Sequence, residues 1–421
     1  MSKIWHPFTQ HAIAKPPILI EKAEGARLYT KDGRTIIDAI SSWWVNTHGH
    51  NHPAIVNAVR EQAEKLDQII FAGFTHEPAE ALADKLIEIT PHNLQHVFFS
   101  DSGSICVEVG VKMAVGYWHH SGKPRKKILA LEHGYHGDTF GAMALGARGG
   151  FSDIYEELLF DVTRLPFPNG TLDALEKELQ ADPNGFAAFV FEPLVLGAGG
   201  MIMYSSELLR SMAELCRRYG VLLIADEVMT GWGRTGTLFA CEQAGVMPDI
   251  LCLSKGLTGG FLPLAVTLCT DEIYQAFYAS DRRKTFFHSS SYTANPLACA
   301  AALANLQIWQ NEPVMGRIQT LSARHTKHLE RFKNRDDVTN IRQTGTIAAL
   351  DIVVQDSGYF SDIAPKLYDF YMNRGVLLRP LGNTVYILPP YCITEEELDH
   401  VYGIIDIALD HLRDGREQQA A

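Results

Sequence analysis

Short apolar runs alternate with amphipathic stretches along the chain, and that alternation predicts an α/β fold. "HVFFS" (96–100) precedes a helical pattern from Ile105 to Trp118, and "KILALE" (127–132) precedes a glycine-rich turn and the stretch 137–146. "AAFVFEP" (187–193) is followed by a helix-like segment over 205–219. "VLLIADE" (221–227), "DILCLSK" (249–255) and "LAVTLCT" (264–270) are apolar at both odd and even positions. Strands of that kind belong inside a mainly parallel sheet covered by helices. "NPLACAAALANLQIWQ" (295–310) predicts a long helix.

After Asn311–Glu312–Pro313 the pattern changes. Residues 314–334 predict a charged amphipathic helix, and "TGTIAALDIVV" (344–354) a half-exposed strand. "GVLLRPLGNTVYILPP" (375–390) predicts a hairpin turning at Gly382–Asn383. Thr394 and Glu397 form a capping box for the last helix, and the polar tail 413–421 is expected to fray. The chain therefore divides into a large α/β domain at 46–310 and a smaller α+β domain. The smaller one comprises 1–45 and 311–421, the N-terminal segment packing with the C-terminal part.

Composition narrows the function classes. The 421 residues carry a net charge of −12, with 20% charged and 46% hydrophobic residues. An acidic balance argues against a nucleic-acid binder, which needs a basic face to neutralise phosphates. Seven scattered cysteines without a C-x-x-C pair predict reduced thiols and a cytoplasmic enzyme. "MSKIWHPFTQ" lacks the apolar core of a signal peptide. No run approaches the roughly 18 apolar residues of a membrane span, so no membrane partner is expected.

"ADEVMTGWGRTG" (225–236) contains G-x-G-x-x-G at Gly231, Gly233 and Gly236. A nicotinamide-dinucleotide site needs the first glycine at a strand end, a helix starting inside the motif and an acidic residue after the next strand. Here Gly231 comes several residues late, the following segment is a weak helix opener, and Asp249 precedes the next strand. A structural turn accounts better for the glycines; a nicotinamide oxidoreductase would rest on this loop alone.

Asp226 is more informative. It ends an apolar strand, at the edge where open parallel sheets bind ligands. Lys255 leaves another apolar strand inside "LSKGLTGG". Alone it would read as a surface lysine. Beside Asp226 it matches pyridoxal phosphate, which bonds a lysine amine and needs a carboxylate to keep its ring nitrogen protonated. The freed amine can then carry the proton between carbons. In "SDSGSICVEVGVKMA" (100–114), Gly103 and Ser104 offer an N–H and a hydroxyl to a phosphate at a helix N-terminus. The bland alternative is that Asp101–Ser102 only cap the helix. Tyr135 either stacks on the cofactor ring or simply packs. His48, His50 and His52 alternate without an accompanying Cys or carboxylate cluster, so no metal is expected.

Together these motifs resemble the class III, fold-type I pyridoxal-phosphate aminotransferases over nearly the whole chain. "LLIADEVMTGWGRTG" and "PDILCLSKGLTGG" carry the resemblance. "IWHPFTQ", "DAISSWWVNTHGHNHP", "GYHGDTFGAM" and "LRPLGNTVYILPPY" resemble the branch that aminates 8-amino-7-oxononanoate in biotin synthesis, with S-adenosylmethionine as donor. The resemblance implies Lys255 as the cofactor lysine and Asp226 as its ring-nitrogen partner. It implies Gly103 and Ser104 at the phosphate, Tyr135 on the ring, Trp43 in the substrate pocket and Arg379 on the substrate carboxylate. It further implies a homodimer, in which Ser290 and Ser291 reach the neighbouring subunit's phosphate and Ser289 lies beside its substrate. Two positions depart from the family: Phe8 stands where tyrosine is common, and Ser289 where glycine is common. Met229 replaces the glutamine usual in members that use ornithine or 4-aminobutyrate. Another class III ω-aminotransferase, using lysine or a different amine, remains open at this stage. A non-catalytic regulator would carry a DNA-binding module, and no basic helix-turn-helix is visible.

Overall fold

The computed structural model describes residues 3–355 and 357–420, with the backbone only over 414–420. Seven strands make the central sheet. Across it the order is Leu94–Ser100, Ala265–Thr270, Ile250–Leu253, Leu222–Asp226, Phe186–Phe191, Lys127–Leu131 and Thr163–Leu165. The last five are mutually parallel. Ala265–Thr270 runs antiparallel to both of its neighbours. Phe186–Phe191 and Ile250–Leu253 are buried at every position, which is why they read as unbroken apolar runs. Ala265–Thr270 is almost as buried, so its reversed direction leaves no trace in the hydrophobic pattern.

Helix Gly103–His120 packs Cys106, Val107, Val109 and Met113 inward. Gly110 lets it approach the sheet closely: a Cβ there would lie 3.2 Å from Ile250 Cγ2. Helix Pro296–Asn311 starts on Asn295, whose Oδ1 accepts from the N–H groups of Leu297 and Ala298, each at 3.1 Å. It packs against helices Pro53–Ala63 and Glu77–Ile89.

The N-terminal strands Ile20–Glu24, Arg27–Thr30 and Thr35–Asp38 form a separate sheet that Val376–Leu377 completes. The expected hairpin over 375–390 is not one. The turn at Gly382–Asn383 exists, closed by Leu381 N–H on Thr384 O at 2.9 Å. However, Val376–Leu377 pairs in parallel with the Thr35–Asp38 strand, whereas Thr384–Ile387 pairs antiparallel with Ile347–Ile352 in another sheet. The local turn signal was sound; distant strands claim its two arms. The expected half-exposed strand over 344–354 is also corrected. Ile347–Ile352 is buried at all but one position, and the partly exposed strand is its neighbour Val338–Thr344. The charged stretch after Pro313 forms helix Val314–Leu329, followed by a short 3₁₀ turn, Glu330–Phe332.

The last helix, Glu395–Ala420, continues through most of the tail expected to fray. Its capping box is formed: Thr394 N–H donates to Glu397 Oε2 at 2.9 Å, and Glu397 N–H to Thr394 Oγ1 at 3.2 Å. Among the described residues no helix is long and apolar enough to cross a membrane. The seven cysteines are free thiols.

Candidate active site

Register places the chemistry at one sheet edge. Asp226 pairs with Cys252, so two adjacent parallel strands end side by side, and Lys255 follows directly in a 3₁₀ turn, Lys255–Thr258. Lys255 takes a left-handed φ of 44°, a conformation that side-chain-bearing residues adopt at a cost and that clusters at functional sites. Its Nζ lies 4.8 Å from the centre of the Trp44 ring and makes no hydrogen bond or ion pair with any described residue. Burial pushes the amine down to about 8, against the opposing pull of Asp226 and Glu192.

Asp226 is buried. Its Oδ2 meets His136 Nδ1 at 2.7 Å, and its Oδ1 accepts from Val228 N–H at 3.1 Å. Burial disfavours the charged imidazole of His136, yet the bond and the charge of Asp226 outweigh it and raise its pKa. Glu192, also buried, accepts from the N–H groups of Tyr135 at 2.9 Å and Gly197 at 3.0 Å. Burial raises this carboxyl to about 7. Sequence reasoning missed both His136 and Glu192. Glu192 carries the same signal as Asp226, a charge closing an apolar strand; His136 has no local feature that sets it apart from His133 in the same turn.

The second acid of the pair has a different fate. Glu227 accepts from Ala240 N–H at 2.7 Å and Cys241 N–H at 2.9 Å, and so anchors the short helix Cys241–Ala244. The glycine loop is structural, as expected. Trp232, Gly233 and Gly236 all have positive φ, and Arg234 inside the loop donates to Pro389 O at 2.9 Å and Asn46 O at 2.8 Å.

Trp43 and Trp44 sit on a distorted turn in which Ser41, Ser42 and Trp44 all have positive φ. Buried Asp38 holds that strain by accepting from Ser42 N–H at 2.7 Å and Ile40 N–H at 3.2 Å. Trp44 Nε1 donates to Tyr386 Oη at 2.9 Å. The exposed Trp43 carries the Arg379 guanidinium 5.2 Å from its ring centre on one contact and Phe8 at 5.5 Å on another. Arg379 has no ion pair or hydrogen bond among the described residues. Phe8 also touches Phe151 at 6.0 Å, and Phe151 touches Tyr359 at 4.4 Å. These rings make an aromatic wall beside an uncommitted cation.

Gly103 opens its helix with Ser102 as cap, Ser102 Oγ accepting from Ile105 N–H at 3.4 Å. A Cβ at Gly103 would lie 2.8 Å from Val228 Cγ1. Ser104 Oγ accepts from Asp138 N–H at 3.3 Å. Tyr135 is partly exposed, and burial together with Asp138 raises its hydroxyl pKa. Ser289, Ser290 and Ser291 make no hydrogen bond to Lys255 and are tied to their own loop and to Gln68. Ser289 Oγ donates to Ser290 O at 3.1 Å, Ser290 N–H to Thr293 Oγ1 at 3.0 Å, and Ser291 O accepts from Gln68 at 2.8 Å. The alternating histidines serve other ends: His50 meets Asp38 at 2.8 Å and His52 meets Glu312 at 3.1 Å. Among the described residues no group of three or more His, Cys, Asp or Glu could hold a metal.

The family model described as "Aminotransferase class-III" matches residues 8–409. The chain belongs to the class III aminotransferases. A Synechococcus elongatus protein named adenosylmethionine-8-amino-7-oxononanoate aminotransferase is 48% identical over 97% of this chain and 99% of its own. A Geobacter sulfurreducens protein of the same name is 38% identical over 94% and 93%. Among solved structures, the enzyme of that name from Methanocaldococcus jannaschii superposes with a TM-score of 0.92 at 35% identity, covering 96% of this chain and 97% of its own. An amine transaminase from an uncultivated Pseudomonas species, solved with pyridoxal phosphate bound, gives 0.92 at 31% identity over 98% and 99%. As a class III aminotransferase this enzyme uses pyridoxal 5′-phosphate. The site fits that cofactor on its own chemistry: an unpartnered amine at Lys255, a buried carboxylate held by an imidazole, and a glycine-opened helix N-terminus.

Proposed function

We propose that this aminotransferase converts 8-amino-7-oxononanoate to 7,8-diaminononanoate, with S-adenosylmethionine as amino donor. The observation that carries the reading is the uncommitted Arg379 guanidinium over Trp43, next in sequence to the Trp44 that underlies the Lys255 amine. The acceptor is a long apolar chain whose carboxylate lies several carbons from its ketone. A guanidinium free of protein partners suits that carboxylate, which its fork binds in two places. The names of the relatives support the same substrate pair.

Pyridoxal phosphate, when bound, supplies an aldehyde that takes up the amino group and a ring that accepts the electrons of the broken C–H bond. The residues do the rest. Lys255, neutral in part at pH 8, is the nucleophile and then the base that moves the proton. Asp226 keeps the ring nitrogen protonated, and His136 orients Asp226. Gly103 and Ser104 hold the phosphate at the helix N-terminus. Tyr135 covers the ring, and Phe8 and Trp43 line the substrate channel.

The reading includes a homodimer in which Ser289, Ser290 and Ser291 serve a second copy's site. The reading includes a cytoplasmic enzyme built from a cofactor-binding part at 46–310 and a smaller part at 1–45 and 311–421. Incubating loaded enzyme with the keto acid and S-adenosylmethionine, lysine or simple amines, with mass-spectrometric detection of the diamine, tests the proposal. S-adenosylmethionine should support the fastest turnover. A faster rate with lysine would replace the donor, and no product with any donor would remove the reading.

A further inference from the structure

A buried polar cluster lies on the far side of the Lys255 turn. Asn305, fully buried on helix Pro296–Asn311, donates its Nδ2 to Gly256 O at 2.9 Å and Leu257 O at 3.0 Å. Two carbonyls demand the donor end of the amide, so its Oδ1 is oriented the other way. There Asn305 Oδ1 faces His48, and neither it nor Thr47 Oγ1, His52 Nδ1, Trp309 Nε1 or the ring nitrogens of His48 make a well-formed hydrogen bond among the described residues. A Cβ at Gly259 would lie 3.2 Å from Asn305 Oδ1 and 3.7 Å from Thr47 Oγ1, so both atoms flank the backbone of that glycine. The His48 ring centre lies 5.6 Å from that of Trp309, which is one helical turn from Asn305 and shares its face.

Burial and the neighbouring His52 push the pKa of His48 down to about 3 against the opposing pull of Asn305, so the ring is neutral, with one nitrogen a donor and the other an acceptor. Buried polar atoms in proteins are almost always hydrogen-bonded, and those without a protein partner bind ordered water. A neutral imidazole, a hydroxyl and an amide oxygen buried together suit a molecule that both donates and accepts.

We propose that Thr47, His48 and Asn305 bind ordered water behind the Lys255 turn, and that Asn305, held by that water and by the turn, is a positioning residue for Lys255. The inference rests on the proposed role of Lys255. The turn needs such support because its first residue has positive φ and its other side is packed on Trp232: a Cβ at Gly256 would lie 2.8 Å from that side chain.

A crystal structure of the wild-type holoenzyme that resolves water tests the first half, whatever any variant does. Water bonded to Asn305 Oδ1 and to His48 or Thr47 is expected; a dry cluster whose atoms bond directly to one another overturns it. Asn305→Leu, which keeps the side-chain bulk, tests the second half in cofactor-loaded protein. Its kcat should fall about 10-fold or more with KM within about two-fold, since small misplacements of a reacting group cost up to about 100-fold. The pH at which the lysine-bound cofactor's absorbance titrates should move as well. A loaded variant with wild-type kcat and titration overturns the positioning role, as does one that loses only melting temperature. Wild-type turnover measured alongside separates a failure here from a failure of the proposed function.

Discussion

Arg379→Ala is the sharpest probe of substrate class, because the fold depends on this arginine so little. Its guanidinium forms no ion pair or hydrogen bond with described residues and rests on the exposed face of Trp43. Removing it forfeits a cation–π contact worth about 0.5–1 kcal/mol and leaves no buried partner stranded. The melting temperature should drop by a few degrees at most. Removing one partner of a desolvated charge pair costs about 2–5 kcal/mol. Arg379 is only half-buried, so the lower figure applies, and about 2 kcal/mol is roughly 30-fold in kcat/KM. Steady-state kinetics should show that loss for 8-amino-7-oxononanoate. An acceptor of equal length without the carboxylate should be poor with wild type and little changed by the substitution. Equal losses on both acceptors, or none on the keto acid, would refute the carboxylate role.

Asp226→Asn should still take up cofactor but lose most of its turnover, and the imidazole of His136, no longer facing a charge, should titrate at lower pH by NMR. Cofactor uptake by the apo-protein should accelerate as pH rises, with a midpoint near 8, because only the neutral Lys255 amine attacks; a pH-independent rate would contradict this. Glu192 is raised to about 7 in the fold from an ordinary 4.5, so its proton-linked stability is full below 4.5 and lost as pH rises through 7. Denaturant midpoints should therefore move against wild type, relative to Glu192→Gln, across that window. Phe8→Tyr should tighten donor binding by about one hydrogen bond, 0.5–1.5 kcal/mol, in a calorimetric titration; weaker binding would mean that the channel is built around the phenyl ring.

The candidate residues stand out in the sequence where local pattern and chemistry coincide. Asp226 and Lys255 are charges at the ends of apolar strands, a placement that needs compensating partners and so stands out in the sequence. Gly103 and Ser104 open a helix after a strand, again a local feature. Other parts depend on contacts far apart in sequence. Asn305 is an ordinary polar residue in an alanine-rich helix until its amide is seen on the Gly256 and Leu257 carbonyls. Arg234 looks like a loop arginine, yet it ties Asn46 to Pro389. The supposed hairpin failed for the same reason: a turn at Gly382–Asn383 specifies the bend, not which strands pair with its arms. The alternation over 344–354 predicts a half-exposed strand, yet Arg342 and Thr384 bind its Asp351, at 2.9 and 2.7 Å, which lets Ile347–Ile352 lie within the fold.

The central claim is that Lys255 and bound pyridoxal phosphate move an amino group between substrates. The most direct measurement is the single half-reaction. Cofactor-loaded wild type and Lys255→Ala are each mixed with S-adenosylmethionine, and the cofactor's absorbance is followed in time. Wild type should convert the aldehyde form to the amine form and then return on adding 8-amino-7-oxononanoate, while Lys255→Ala, folded and loaded through its phosphate cup, should do neither. Conversion by Lys255→Ala at the wild-type rate, or none by wild type with any amine, would contradict the account.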